Sequence, residues 1–295
     1  MTPIKGSVVA LITPMDERSQ VDFEALRRLV EWHVNAGSHG LVAVGTTGES
    51  ATLSVQEHVQ VIAKSVEYAN GRLPVIAGTG ANATQEAIEL TTQAGQLGVD
   101  ACLSVVPYYN KPTQSGLIAH FTAIADASTV PIILYNVPGR TVADLSNDSV
   151  VALMRHPNIV GIKDATGDVA RGADLIERTR GHLSVYSGDD ATALELMKAG
   201  AQGDISVTAN AAPKLMSELC RSALSGAIEK AQSINERLMP LHRALFLEAN
   251  PIPIKYAVSK LGYTSNTLRL PLVPLSDEHR KTVDEALLSA SMPSL

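Results

Sequence analysis

The sequence predicts an α/β protein, a closed (β/α)8 TIM barrel with a helical C-terminal extension. Eight short runs rich in Val and Ile begin at residues 6, 40, 74, 101, 131, 159, 183 and 203. Each has four to eight residues, which is typical of a strand buried on both faces. Their starts lie about 20 to 34 residues apart, the length of one strand and one helix. Eight such units favour a closed barrel over the alternative, an open doubly wound sheet.

Helical segments separate the runs, and capping signals mark where several of them begin. Asp22 precedes FEALRRLVEWHV, in which apolar residues fall on one stripe. Ser54 and Glu57 have the spacing of a capping box at the start of the second helix. Thr84 and Ser115 are the predicted N-caps of the next two helices.

The strand pattern stops after Ser225, and three helical patterns follow it. Prolines at positions 251, 253, 271 and 274 bound these patterns. We therefore predict two domains, a catalytic barrel over residues 1–225 and a C-terminal helical domain over residues 226–295.

Composition excludes several classes of protein. With 45% hydrophobic residues and a net charge of −6, the 295-residue chain is neither disordered nor suited to nucleic acid. It has no signal-peptide pattern and no apolar stretch of about 18 residues, so we expect no membrane span and a cytoplasmic location. Two cysteines and histidines without metal-ligand spacing predict no metal site.

Lys163 is the strongest candidate for catalysis, because barrel enzymes place their chemistry at the carboxyl ends of the strands. It follows the apolar residues 159–162, so its stem is expected against the barrel interior. Burial disfavours the charged form of an amine, and a neutral amine can form a Schiff base with a carbonyl compound. Taken alone, the residue is also consistent with a strand-end lysine that reaches water.

Other candidate groups lie at the same end of the predicted barrel. Tyr135 is on the preceding strand, where its phenol can relay protons for Lys163. Thr46 and Thr47 lie between two glycines, in a loop suited to binding a carboxylate, and Arg140 can bind a second carboxylate. Taken alone, a tyrosine on a strand more often packs its ring and a loop arginine is more often solvated, and the threonine pair is also consistent with an ordinary turn.

Two patterns resemble functional sites but are not expected to bind a cofactor or a metal ion. Residues 78–83 match GxGxxA, but Asp100 lies at the start of the next strand rather than at its end, so dinucleotide binding is not expected. Asp189 and Asp190 resemble a metal or paired-acid site, yet no third ligand is in view, so we predict that they cap a helix.

Six motifs occur in order along the chain: GTTGESATL, VIAGTGANAT, VPYYNKP, YNVPGRT, GIKDATG and SGDD, the last followed by GDISVTAN. Together with NPIPIKYA and TLRLPL they resemble the dihydrodipicolinate synthase family of pyruvate-dependent class I aldolases and lyases. The resemblance implies a barrel enzyme of lysine and diaminopimelate biosynthesis. Its substrates would be pyruvate and L-aspartate 4-semialdehyde, its product 4-hydroxy-tetrahydrodipicolinate, and it would need no metal or organic cofactor.

The resemblance also implies roles for individual residues. Lys163 would form the Schiff base and Tyr135 would relay protons. Thr47 would link Tyr135 to a second phenol, Tyr109, which in the family enters the site of the neighbouring subunit. The residues implied in substrate binding are Thr46 and Thr47 for the pyruvate carboxylate, Arg140 for the semialdehyde carboxylate, and Gly188 and Ile205 along the pyruvate pocket.

Regulation and assembly follow from the same resemblance. The family includes enzymes that lysine inhibits at a dimer-interface pocket, and six positions match it: Ser50, Ala51, His58, Asn82, Glu86 and Tyr108. Val55 departs from the pattern, because lysine-sensitive members often carry a polar residue such as His there. Val cannot form a hydrogen bond through its side chain, so we expect weak or no inhibition. Family members are commonly homotetramers, built as a dimer of dimers.

Two alternatives stay open at the level of sequence. One is a sibling enzyme that uses the same lysine, such as N-acetylneuraminate lyase or a 2-keto-3-deoxy sugar-acid aldolase. Arg140 after VPG favours a small carboxylated aldehyde over a polyhydroxylated sugar. The other is a non-catalytic barrel that senses a 2-oxo acid, against which the Lys–Tyr–Thr set argues.

Overall fold

The computed structural model describes residues 4–291, and within them the chain forms the predicted barrel. Its strands all run parallel and pair in chain order, and β8 closes the sheet onto β1. The strands are β1 (Gly6–Ala10), β2 (Gly40–Ala43), β3 (Val75–Gly78), β4 (Ala101–Val105), β5 (Ile132–Asn136), β6 (Ile159–Asp164), β7 (Ser184–Ser187) and β8 (Gly203–Ser206). The barrel prediction is confirmed and the open sheet is excluded.

Helices connect the strands and continue past the barrel. Those of the barrel are α1 (Phe23–Ala36), α2 (Val55–Ala69), α3 (Thr84–Gln96), α4 (Gln114–Ala127), α5 (Pro138–Thr141), α6 (Asn147–Leu153), α7 (Val169–Thr179), α8 (Ala193–Lys198) and α9 (Pro213–Leu224). The C-terminal helices are α10 (Ile228–Ala244), α11 (Ile252–Lys260) and α12 (Asp277–Ser291). The predicted helical extension is therefore present. The domain boundary at residue 225 stays a prediction, and the outer ends of both predicted domains, 1–3 and 292–295, lie outside the described residues.

Two of the predicted helix starts are confirmed in atomic detail. The Asp22 carboxylate accepts a hydrogen bond from the backbone N–H of Ala25, at 2.8 Å. The Ser54 hydroxyl accepts from the N–H of Glu57, and the Glu57 carboxylate accepts from the N–H of Ser54. Both caps satisfy backbone donors that the first helical turn leaves without partners.

The other two predicted caps are wrong. Thr84 is the first residue of α3, behind Ala83, and its hydroxyl hydrogen-bonds instead with Nδ1 of His120 at 2.9 Å. Thr113, rather than Ser115, caps α4. For Thr84, the His120 ring competes for the hydroxyl. For α4, a second hydroxyl residue, Thr113, lies two positions before Ser115 and forms the cap instead. Local sequence does not reveal either outcome.

The apolar core has two layers, which orient the functional side chains. The larger layer lies between the strands and the surrounding helices, whereas the inner one fills the barrel. Tyr135, Tyr186 and Ile205 belong to the inner layer, so their side chains lie inside the barrel. No helix within residues 4–291 is long and apolar enough to cross a membrane.

Arg269, in the segment between α11 and α12, joins the C-terminal region to the barrel. Its guanidinium donates two hydrogen bonds to the Glu57 carboxylate, at 2.8 and 2.5 Å. It also donates to the backbone oxygens of Thr52 and Ser19. Arg269 lowers the pKa of Glu57 from its ordinary value of 4.5 to about 2.

This ion pair predicts a measurable pH dependence of stability. Because the pKa of Glu57 is depressed in the folded state, its contribution is complete above 4.5 and is lost as the pH falls towards about 2. The pair is only partly buried, so we expect Glu57→Gln to lower the free energy of unfolding at neutral pH by on the order of 1 kcal/mol. Denaturant unfolding should show that the difference in free energy of unfolding between wild type and Glu57→Gln becomes smaller below about pH 4. A difference in free energy of unfolding that does not change with pH would contradict the stabilising role of the Glu57–Arg269 ion pair.

Candidate active site

Lys163 and Tyr135 lie side by side at the carboxyl ends of neighbouring strands. They are opposite each other in the register of β5 and β6. The Lys163 Nζ atom is 4.4 Å from the centre of the Tyr135 ring, and Lys163 is only 5% exposed. The structure thus brings together the two residues that the sequence ranked first. A buried amine beside a phenol is suited to carbonyl chemistry with proton transfer.

Gly188 provides the space that the Lys163 side chain occupies. A Cβ atom at this position would lie 2.7 Å from Cε of Lys163 and 2.8 Å from Cβ of Ala165. Its backbone N–H donates to the carbonyl of Asp164 at 2.8 Å, which holds the loop after β7 against β6. Ile205, also predicted for the pocket, is buried in the same inner cluster as Tyr135.

The Gly188 contact predicts that Gly188→Ala will impair catalysis. The added methyl group must displace the lysine tip, and misplacing a reacting group by about 1 Å lowers rates by on the order of 100-fold. We expect a fall of that order in kcat, measured by steady-state kinetics. Gly116→Ala is the matched control, because a Cβ there meets its nearest neighbours at 3.5 Å. Full activity in Gly188→Ala would show that the glycine is not needed to place Lys163.

The loop after β2, residues 45–49, carries Thr46 and Thr47 and is called the threonine loop below. Thr47 is buried, and its hydroxyl accepts a hydrogen bond from Nδ2 of Asn250 at 3.0 Å. The loop is tight, because a Cβ on Gly48 would lie 2.9 Å from Cα of Val44. The Thr47 hydroxyl is therefore fixed by a residue from the C-terminal region.

No sequence pattern predicts Asn250 as a site residue, although it contacts two predicted ones, Thr47 and Arg140. Besides its side-chain bond to Thr47, its carbonyl accepts from Nη2 of Arg140 at 3.0 Å. Asn250 is separated from Thr47 by 203 positions, so no spacing rule connects them. The one available signal was a polar residue before the prolines of the otherwise apolar NPIPI stretch.

A cavity of about 460 Å³ opens beside these residues. Its lining includes Thr46, Arg140 and Asn250. Five residues of the predicted lysine pocket also line it: Ser50, Ala51, His58, Glu86 and Tyr108. Asn82 is not in the lining, but its Nδ2 atom donates to the carbonyl of Tyr108 at 3.2 Å. The predicted substrate and regulatory positions are thus adjacent in space.

Burial shapes the charges around this cavity. It lowers the pKa of His58, although a hydrogen bond to the carbonyl of Gly78, 2.8 Å from Nε2, opposes that shift. Because a carbonyl oxygen only accepts, Nε2 is the donor in this bond. Burial also raises the pKa of the Tyr108 phenol, and the Glu86 carboxylate adds to that shift. Val55 lines the cavity with a side chain that offers no hydrogen bond.

Tyr109 is not brought into contact with the other predicted catalytic residues. It is 89% exposed, whereas Lys163, Tyr135 and Thr47 are all buried. Its backbone has a φ of +74°, in the left-handed region that few side chains adopt. The described contacts therefore join the lysine to the first phenol and the threonine hydroxyl to Asn250, and they leave the second phenol exposed.

The capping prediction for the acidic pair is wrong, because the N-cap residue of α8 is Thr192. Asp189 accepts from the N–H of Thr192, immediately before α8, at 3.2 Å. Asp190 is buried and accepts from the N–H groups of Val207 and Thr208, at 3.0 and 2.9 Å. It therefore fixes the segment after β8, where a short 3-10 helix spans Thr208–Asn210, and not the start of α8. Within residues 4–291, no group of three or more His, Cys, Asp or Glu could hold a metal ion.

Comparison with known proteins identifies the family. The model of the dihydrodipicolinate synthetase family matches residues 3–290. The chain belongs to this family. A 4-hydroxy-tetrahydrodipicolinate synthase from Stutzerimonas stutzeri is 58% identical over 284 residues, 96% of this chain and 97% of that protein.

Solved structures of dihydrodipicolinate synthases agree with this family assignment. The enzyme from Acinetobacter baumannii, complexed with pyruvate, has a TM-score of 0.97 at 56% identity, covering 98% of this chain and 99% of that one. An enzyme from Cyanidioschyzon merolae with lysine bound has a TM-score of 0.94 at 37% identity, covering 97% and 98%. The predicted family, fold and enzyme class are confirmed, whereas the roles of individual residues stay predictions.

Proposed function

We propose that this chain condenses pyruvate with L-aspartate 4-semialdehyde to 4-hydroxy-tetrahydrodipicolinate, a step in lysine and diaminopimelate biosynthesis. The observation that carries the proposal is the buried Lys163 amine, 4.4 Å from the ring of Tyr135 at the barrel mouth. It is supported by relatives named for this reaction that match almost the whole chain. The pyruvate in the Acinetobacter structure supports the first substrate.

The first half of the reaction joins pyruvate to the enzyme. Lys163 Nζ attacks the keto carbon of pyruvate, and loss of water gives an iminium ion. Tyr135 supplies and accepts the protons of these steps, with Thr47 next in the relay. The iminium draws electrons from the neighbouring methyl group, which loses a proton to give an enamine. The N–H groups of the threonine loop bind the pyruvate carboxylate.

The second half forms the product. The enamine carbon attacks the aldehyde carbon of the semialdehyde, whose carboxylate is bound by Arg140. The aldehyde oxygen becomes the product hydroxyl group. The amine of the semialdehyde then attacks the iminium carbon, closes the ring and releases Lys163. One water leaves per turnover, and Tyr109 of a second subunit would complete the proton relay.

The experiment that tests this function is an assay of the purified protein with both substrates. We expect product only when pyruvate and L-aspartate 4-semialdehyde are present together, and no pyruvate release from sialic acid. Pyruvate release from sialic acid without condensation would favour a sibling lyase instead. Binding of pyruvate without turnover of either substrate would favour the sensor.

We further propose that L-lysine binds weakly, in the cavity lined by His58, Glu86 and Tyr108. Val55 supports weak binding, because it offers no hydrogen bond to an amino acid. The same assay, repeated with added L-lysine, should show little inhibition, and strong inhibition would contradict the argument from Val55. The homotetramer and the cytoplasmic location stay predictions, the first open to measurement by light scattering.

A further inference from the structure

We propose that a buried ion pair between Glu49 and Lys255 positions the threonine loop for pyruvate binding, so that the C-terminal region acts on substrate affinity. The inference rests on the proposed function. Glu49 and Lys255 are positioning residues, because they would act through Thr46 and Thr47 rather than on the substrate.

The first observation is the set of contacts that Lys255 makes. It lies on α11, is fully buried, and its Nζ atom is 2.5 Å from Oε1 of Glu49, also fully buried. The same Nζ donates to the backbone carbonyls of Thr13 at 2.7 Å and Thr267 at 3.2 Å. One ammonium group therefore joins the segment after β1, the threonine loop and the segment after α11.

The second observation is that the contacts converge on this loop. The Thr13 hydroxyl donates to the carbonyl of Gly48 at 2.6 Å, and the N–H of Arg269 donates to Oε2 of Glu49 at 3.3 Å. Glu49 has a φ of +57°, a strained conformation for a residue other than glycine. The surrounding contacts hold that conformation two residues after Thr47. Asn250, from the same C-terminal region, holds the Thr47 hydroxyl itself.

The third argument concerns energy. Removing two charges from water opposes folding, so a buried ion pair adds little stability compared with apolar residues of the same size. Burial lowers the pKa of Lys255, although the Glu49 carboxylate opposes that shift. The ion pair is therefore better explained by holding the predicted carboxylate-binding loop in one conformation than by a contribution to the free energy of unfolding. Neither residue has a role in the chemical steps described above.

The test is a set of variants in the intact protein: Lys255→Met, Glu49→Gln and the double variant. Each single variant should raise the KM for pyruvate by about tenfold or more, with a smaller change in the KM for the semialdehyde. Because the residues act as one unit, the double variant should be no worse than the poorer single variant. Assays are run well below each variant's melting temperature.

Lys260→Met is the matched control, since Lys260 is on the same helix but half-exposed, with Nζ 3.7 Å from Asp284. It should leave the KM for pyruvate unchanged. Ile254→Val, which removes one buried methylene from α11, controls for lost stability alone. If Lys255→Met fails to fold, the nearly isosteric Glu49→Gln and the double variant carry the test.

The outcomes separate this inference from the proposed function. If the variants melt at lower temperature but keep the wild-type KM for pyruvate, the inference is wrong. In that case, condensation by the wild-type protein would still support the proposed function. A wild-type protein that does not condense the two substrates contradicts the function, and the inference with it.

Discussion

Lys163→Ala is expected to lower kcat by on the order of 10⁴-fold or more, because it removes the atom that bonds to pyruvate. The inner cluster to which Tyr135 belongs consists of apolar and aromatic side chains, so none of its described members offers a second amine. The substitution also leaves a space at Gly188, where the lysine stem now packs. Steady-state assay of condensation measures the loss, and circular dichroism checks the fold.

Lys198→Ala serves as the control for this variant. Lys198 lies at the end of α8 and pairs with Glu195 on the surface, at 2.9 Å. Surface pairs of this kind contribute about 1 kcal/mol or less, so activity and fold should both survive. Turnover by Lys163→Ala within tenfold of wild type would rule out the Schiff-base mechanism.

Tyr135→Phe is expected to slow turnover by about 10²- to 10⁴-fold, the range for loss of a general acid–base group. The ring would still fill the inner cluster, so the melting temperature should change little. The substitution removes one hydroxyl that carbinolamine formation and dehydration both require. The expected signature is a fall in kcat larger than any change in the KM for pyruvate.

Tyr186→Phe provides a matched control, because Tyr186 lies opposite Lys163 on the other neighbouring strand, β7. It is buried in the same cluster, and burial raises the pKa of its phenol. We expect this variant to keep nearly full activity. If the two tyrosine variants lost activity equally, the relay could not be assigned to Tyr135.

The barrel and its central pair were predictable because their rules are local and repetitive. Buried parallel strands need continuous apolar runs, and consecutive strands pair, so Tyr135 and Lys163 had to end at the same edge. The regular spacing of eight runs therefore fixed both the architecture and the location of the site.

The remaining parts of the site depend on contacts that no local rule contains. Asn250 and Lys255 reach the threonine loop from about 200 positions further along the chain, through Thr47 and Glu49. Thr84 and Asp190 found tertiary partners in place of the helix ends predicted for them. Tyr109 is exposed in the single chain, and its predicted role in the site of a second subunit stays a prediction.

The most direct test of the central claim is reductive trapping. Wild-type protein is incubated with pyruvate and borohydride, digested, and the modified peptide is sequenced by mass spectrometry. We predict one adduct, with the mass of pyruvate less one water plus two hydrogens, on Lys163. No adduct, or an adduct on another lysine while Lys163 stays unmodified, would contradict the account.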